Sequence, residues 1–154
     1  TLLIGCTTYY LGSTLRGYST IAVLPFDNQT AEPNLELMAT QEALAAFQRD
    51  GTLTITDANS ADLRVETVLV EARFEPISYA RNRSATANEF RYTLTARMTV
   101  TDRKTGQKLF DNRIIKGEYT FRSEVDAQQA RLTAQAGVTR DLAQRMVRQI
   151  VEYW

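Results

Sequence analysis

The sequence predicts an α+β fold: a two-layer sandwich with two helices packed on one face of a mixed, mostly antiparallel sheet of four or five strands. Three observations carry this. The chain opens as strand, helix, strand between Thr20 and Ile55. From Phe90 to Val100 apolar residues alternate with Arg and Thr, the period-two pattern of a half-buried strand. Near the C-terminus Val138, Leu142, Met146 and Ile150 recur every four residues, which places them on one helix face.

The first strand is the apolar run Thr20 to Phe26, continuous enough for burial on both faces and ended by Pro25, which cannot donate to a ladder. Asp27-Asn28-Gln29-Thr30 is turn chemistry. A helix is expected from Asn34, its N-cap, to Asp50, with Gly51 as the stop. Its core face is read as Leu37, Leu44 and Phe47, with Met38 and Ala45 beside them. Leu53-Thr54-Ile55 is a short strand, and the strand–helix–strand order implies a parallel crossover.

Leu63 to Phe74 is the next strand. Its apolar set changes parity between Val65 and Val68, which predicts a bulge or burial on both faces. Pro76 is expected to end it, leaving a polar loop over residues 77–88. The alternating strand at Phe90–Val100 turns through Asp102-Arg103-Lys104-Thr105-Gly106 into a partner from Lys108 to Phe121. Leu109, Ile115, Tyr119 and Phe121 share a parity in that partner. The last helix is expected from an N-cap at Ser123 to Tyr153, its Ala- and Gln-rich first half projecting past the sheet.

Composition narrows the function. The chain has 154 residues, 44% apolar and 23% charged, the size and balance of one globular domain. No run approaches the roughly 20 apolar residues of a membrane helix. With one cysteine and no histidine, the commonest general base and metal ligand are missing, and no cysteine-rich zinc site is available. No Gly-rich phosphate loop follows a strand, and the paired carboxylates read as strand and turn surface. The sequence therefore points away from an enzyme, a cofactor or a metal.

The net charge of zero is unevenly placed. Residues 1–75 hold 4 basic against 10 acidic residues, and residues 76–154 hold 14 against 8. A basic second half either binds phosphate and other acidic groups or reflects solvated faces. The wet face of strand 90–101 carries no aromatics on which bases could stack, so nucleic acid is not expected as a partner.

Thr1-Leu2-Leu3-Ile4-Gly5-Cys6 is an apolar run ending in a small residue and the only cysteine, the pattern of a bacterial lipoprotein cleavage site. The other reading is an N-terminal strand with a buried free thiol. Under the first, residues 1–5 are a signal-peptide remnant and residues 6–19 a tether lipidated at Cys6. Residues 20–154 then form one periplasmic α+β domain. Acyl chains on Cys6 would contribute about 0.8 kcal/mol per buried methylene toward anchoring.

Several segments together resemble the lipopolysaccharide-assembly lipoprotein family of Gram-negative bacteria (LptE type). They are Gly5-Cys6-Thr7-Thr8-Tyr9-Tyr10-Leu11, the run Thr20 to Thr30, Glu32-Pro33 and the helix end Phe47-Gln48-Arg49-Asp50-Gly51. Ala61-Asp62-Leu63, Ile77-Ser78-Tyr79, Tyr92-Thr93-Leu94 and the stretch Thr105 to Asn112 add to it. The resemblance implies a lipid-anchored outer-membrane protein facing the periplasm. It implies a non-catalytic plug in the lumen of a large β-barrel partner (LptD type), assisting that barrel's assembly and touching lipopolysaccharide in transit. No motif fixes the lipopolysaccharide contacts; the candidates are Arg81 and Arg83 in the loop, with Arg91 and Arg97 on the wet strand face. The strand–helix opening is shared with periplasmic lipoproteins of secretion pores and activators of cell-wall synthases, which form the alternative.

Overall fold

A computed structural model describes residues 17–79, 87–122 and 127–152 of the chain. Cys6, Arg81, Arg83 and the expected cap Ser123 lie outside the described residues. The elements are β1 (Thr20–Val23), β2 (Asp27–Asn28), α1 (Leu35–Asp50), β3 (Thr54–Ile55), β4 (Leu63–Tyr79), β5 (Ala87–Asp102), β6 (Lys108–Arg122) and α2 (Ala127–Val151). The sheet runs β3-β1-β4-β5-β6, with β2 joined to β4 below β1. β1 pairs in parallel with both β3 and β4, while β4–β5 and β5–β6 are antiparallel. This is the mixed, open α+β architecture expected, with six strands rather than four or five because Asp27–Asn28 pairs with Val68 and Leu69.

Both helices cover one face. On β5, Phe90, Tyr92, Leu94, Ala96, Met98 and Val100 are buried against them. α1 starts at Asn34 and stops at Gly51, but not by the expected means. Asn34 takes a left-handed conformation (φ 63°) and makes no side-chain cap, whereas Gly51, at φ 72°, donates its N–H to the Phe47 carbonyl. The buried face of α1 is Leu35, Ala39, Ala43, Ala46 and Phe47, and Leu37 is 58% exposed. The small residues face inward because α1 packs against α2.

β4 continues through Pro76, which pairs with Phe90, as far as Tyr79. Beyond Leu69 no described strand pairs with its other edge, and a proline is tolerated on an edge strand. The bulge is real but lies at Val70, where Leu69 opposes Ala96 and Glu71 opposes Thr95. Thr67 and Leu69, rather than Val68, therefore point inward. In β6 a second bulge sets Asp111 and Asn112 opposite Thr99, with Asn112 at φ 50°. That bulge buries Phe110 in place of Leu109. The first half of α2 does not project: Ala130 and Ala134 are fully buried.

At the far end of the sheet an aromatic cluster extends the core. Phe74 stacks on Phe90 at 5.2 Å and meets Tyr92 edge-on at 5.7 Å. Arg131 of α2 lies 5.5 Å from the Phe74 ring and pairs with Glu32 at 3.3 Å. The Tyr92 phenol is pushed up first by burial and then by the charge of Glu32.

Candidate functional site

With both helices on one side, no described element covers the opposite face of β4, β5 and β6. Register sets its side chains in rows: Val68–Arg97–Ile114, Glu71–Thr95–Lys116, Arg73–Thr93–Glu118 and Glu75–Arg91–Thr120. Long charged side chains of alternating sign flank short threonines on the central strand. The result is a depression of about 220 Å³ lined by Glu71, Arg73, Glu75, Arg91, Lys116 and Glu118, with Thr93 and Thr95 between them. Three carboxylates there balance three cations. Exposed pairs such as Arg73–Glu71 at 2.7 Å add little stability. Their effect is to hold the face polar and neutral. Thr95 is almost buried at its centre, and its hydroxyl has no partner.

Arg91 and Arg97 lie on this face, as their parity requires. They do not converge. Six residues apart on one strand, they stand about 20 Å from each other. Arg91 sits between Glu75 and Thr120. Arg97 is half-buried between Val68 and Ile114, donates to Gln29 Oε1 at 3.4 Å, and keeps its Nε buried without a partner.

The entry of the chain into the fold is fastened at the opposite end. Asp62 Oδ2 accepts from the backbone N–H of Ser19 (3.0 Å) and of Thr20 (3.1 Å), and from both their hydroxyls. Lys104 pairs with Asp62 Oδ1 at 3.1 Å. These donors, the Ser19 amide first and Lys104 next, hold the Asp62 carboxyl well below the usual carboxylate range. Beside it Tyr18 donates its hydroxyl to Asp102 at 2.9 Å. The Asp102 carboxyl is also lowered, chiefly by the Thr105 amide and then by Tyr18. Tyr18 is thus pinned to Asp102 at the β5–β6 turn, and Ser19 and Thr20 to Asp62 just ahead of β4, which Lys104 ties to the same turn. β5 spans 16 residues, so this end lies about 50 Å from the start of β5 at Ala87.

Sequence reasoning put Thr95 on the wet face of β5 and missed Arg73 and Lys116 as its neighbours there. The alternation of β5 marks Thr95, but the bulges in β4 and β6 hide which partners stand beside it. Among the described residues no group of three or more His, Cys, Asp or Glu is placed to hold a metal.

A model of the lipopolysaccharide-assembly family LptE matches residues 18–153. The chain belongs to the LptE family. Membership makes it part of a group of accessory lipoproteins that serve lipopolysaccharide assembly. Comparison with the curated proteins returns no match. Solved structures share the LptE-like fold at low identity. The hypothetical protein CT253 from Chlamydia trachomatis is 12% identical with a TM-score of 0.63, covering 88% of this chain and 97% of that one. A minor lipoprotein from Acinetobacter baumannii is 17% identical with a TM-score of 0.54, covering 88% and 94%. A variant PelC dodecamer from Paraburkholderia phytofirmans is 16% identical with a TM-score of 0.54, covering 87% and 89%. No described helix is long and apolar enough to cross a membrane.

Proposed function

We infer that this LptE-family protein is a lipid-anchored, non-catalytic component of the outer membrane on its periplasmic side. It plugs the lumen of a lipopolysaccharide-translocating β-barrel of the LptD type, helps that barrel assemble, and contacts lipopolysaccharide in transit. The observation that carries the reading is the uncovered, charge-balanced face of β4–β6. Barrel interiors are polar, and a neutral face of alternating charge over threonines matches such a wall better than lipid or a greasy partner. Anchoring belongs to Cys6, and the domain begins at residue 20. The lipopolysaccharide contacts are assigned to Arg81, Arg83 and Arg91, with Arg97 held back by its half-buried stem.

The test is purification of the tagged protein from native membranes. A co-purifying outer-membrane barrel is expected, and a cell-wall synthase in its place would refute the reading. Substituting Arg81 and Arg83 together is expected to weaken lipopolysaccharide binding with little loss of thermal stability; unchanged binding removes both from the site. Mass spectrometry of membrane-purified protein is expected to show an acylated Cys6 as the first residue. An intact Thr1–Gly5 with a free thiol would remove the anchor.

The likeness to the PelC dodecamer favours a second reading, a ring of identical subunits serving a secretion pore. A large homo-oligomer without a barrel partner in the same purification would select it.

A further inference from the structure

The chain enters the fold at the end where both helices stop. α1 and α2 run parallel: Glu32, ahead of α1, pairs with Arg131, and Glu42 pairs with Arg140 further along at 3.6 Å. Their C-terminal turns flank a cleft of about 330 Å³. Ala46, Val147 and Val151 form its apolar floor. Arg49, Asp50, Arg148 and Glu152 stand exposed around them.

This rim carries two cations and two carboxylates, so it favours neither sign of charge. Among the described residues the side chains of Arg49, Arg148 and Glu152 make no hydrogen bond or ion pair. Asp50 accepts from the Thr52 amide at 3.1 Å. Donors and acceptors together, above an apolar floor, match an extended peptide. Its backbone offers both N–H and C=O groups, and its side chains fill the floor. An anion or an acyl chain would use only half of such a lining.

We propose that the cleft seats this chain's own segment 7–16 through Tyr9, Tyr10 and Leu11. That segment carries four large apolar or aromatic side chains, Tyr9, Tyr10, Leu11 and Leu15. It leads straight into Gly17 and Tyr18, and Tyr18 packs partly buried against the core. The Thr54 N–H donates to the Ser19 carbonyl at 2.9 Å, and Thr54 follows closely on the end of α1 at Asp50. Chain reach then holds Gly17 within about 25 Å of Asp50, while Tyr9 can extend about 26 Å from Gly17. With the segment seated, only residues 6–8 remain as free tether, and the helix ends face the membrane. That orientation rests on anchoring at Cys6; the docking itself does not.

The test places a nitroxide on Cys6, the only cysteine, in the 15N-labelled, unacylated full chain. A label there sits about 10 Å along the chain from Tyr9. Strong broadening is expected at the amides of residues 46–50 and 147–152, and not on the uncovered face of β4–β6. Tyr9→Ser, Tyr10→Ser and Leu11→Ser together are expected to abolish that selectivity, with the other amide shifts unchanged. A mixture of spin-labelled chain at natural abundance with unlabelled 15N chain reports contacts between copies, and no broadening is expected in it. Broadening that is even, centred elsewhere, unchanged by the serine variant or reproduced in the mixture would overturn the assignment. The last of these would give the cleft to a second copy. A failed barrel capture, or a Cys6 found unacylated, leaves this measurement standing.

Discussion

Gly117 of β6 lies directly against Leu142 of α2. A Cβ built at Gly117 would stand 2.8 Å from Leu142 Cβ, from the Leu142 backbone nitrogen and from the Val138 carbonyl oxygen. Two of those atoms belong to helix backbone and cannot swing aside, so this glycine sets how closely α2 approaches the sheet. Gly117→Ala is expected to cost about 2–3 kcal/mol, lowering Tm by about 4–12 °C at this size. Gly137→Ala makes the control. The three atoms nearest its Cβ would be Tyr119 ring atoms at 2.5–2.6 Å, and that partly exposed ring, stacked on Phe121, is side chain that can turn aside where helix backbone cannot. Helix propensity returns about 1 kcal/mol there, so the variant should stay within about 1 kcal/mol of the parent. Thermal melts that rank the two in the opposite order would refute the account of this contact.

The fastening of residues 18–20 predicts a pH dependence. Asp62 and Asp102 both have folded-state pKa values below their unfolded ones. Their contribution is therefore complete above the ordinary carboxylate pKa of about 3.9, and is lost as pH falls through the lower folded values. Asp62→Ala should reduce stability by about 1–2 kcal/mol at neutral pH. The difference from the parent should shrink as the pH drops below about 4. Denaturant melts at several pH values check this, and a gap that widened in acid would contradict the sign.

Much of this fold is legible before any coordinates, because period and punctuation survive in the sequence. β5 reads from its alternation, the end of α1 from Gly51, and the core stripe of α2 from Val138 to Ile150. Where the reading slips, a tertiary cause stands behind it. Apolar periodicity weights Leu37 and Leu44 above Ala39 and Ala43, yet close packing of α1 on α2 selects the alanines. Asn112 at positive φ exchanges Phe110 for Leu109 in the core, a local backbone choice that asparagine permits but does not announce. Site residues divide the same way. Arg91 and Arg97 could be placed on the wet face from parity alone. Asp141 reaches the Glu118 amide only because β6 and α2 lie side by side.

Thr67 and Thr95 are buried with hydroxyls that have no partner. Thr67 faces the core, where valine fits the same space without a polar group to desolvate. Thr67→Val is expected to stabilise the protein by about 1 kcal/mol. Thr95 lies at the centre of the uncovered face. If a polar wall covers that face, its hydroxyl gains a partner in the assembly that it lacks alone. Thr95→Val should then leave the isolated protein as stable as the parent or slightly more so, while reducing recovery of the barrel in the capture experiment. Equal recovery with both variants would remove Thr95 from the contact surface.

The contact of Asp141 with the Glu118 amide closes the edge of β6. An exposed edge strand is a template for pairing with another chain, and β6 is long enough, at 15 residues, to serve as one. Asp141 satisfies the Glu118 N–H at 2.7 Å from outside the sheet, and the close approach at Gly117 brings the helix over the same stretch. Asp141→Ala removes the acceptor while leaving the core intact. Amide hydrogen exchange at Glu118 should rise by about tenfold or more if that bond contributes about 1.4 kcal/mol or more to local closure. Light scattering on storage should increase as well. Unchanged exchange at Glu118 would mean that the amide is protected by the packing of α2 alone, and the carboxylate would lose its role as the cover of this edge.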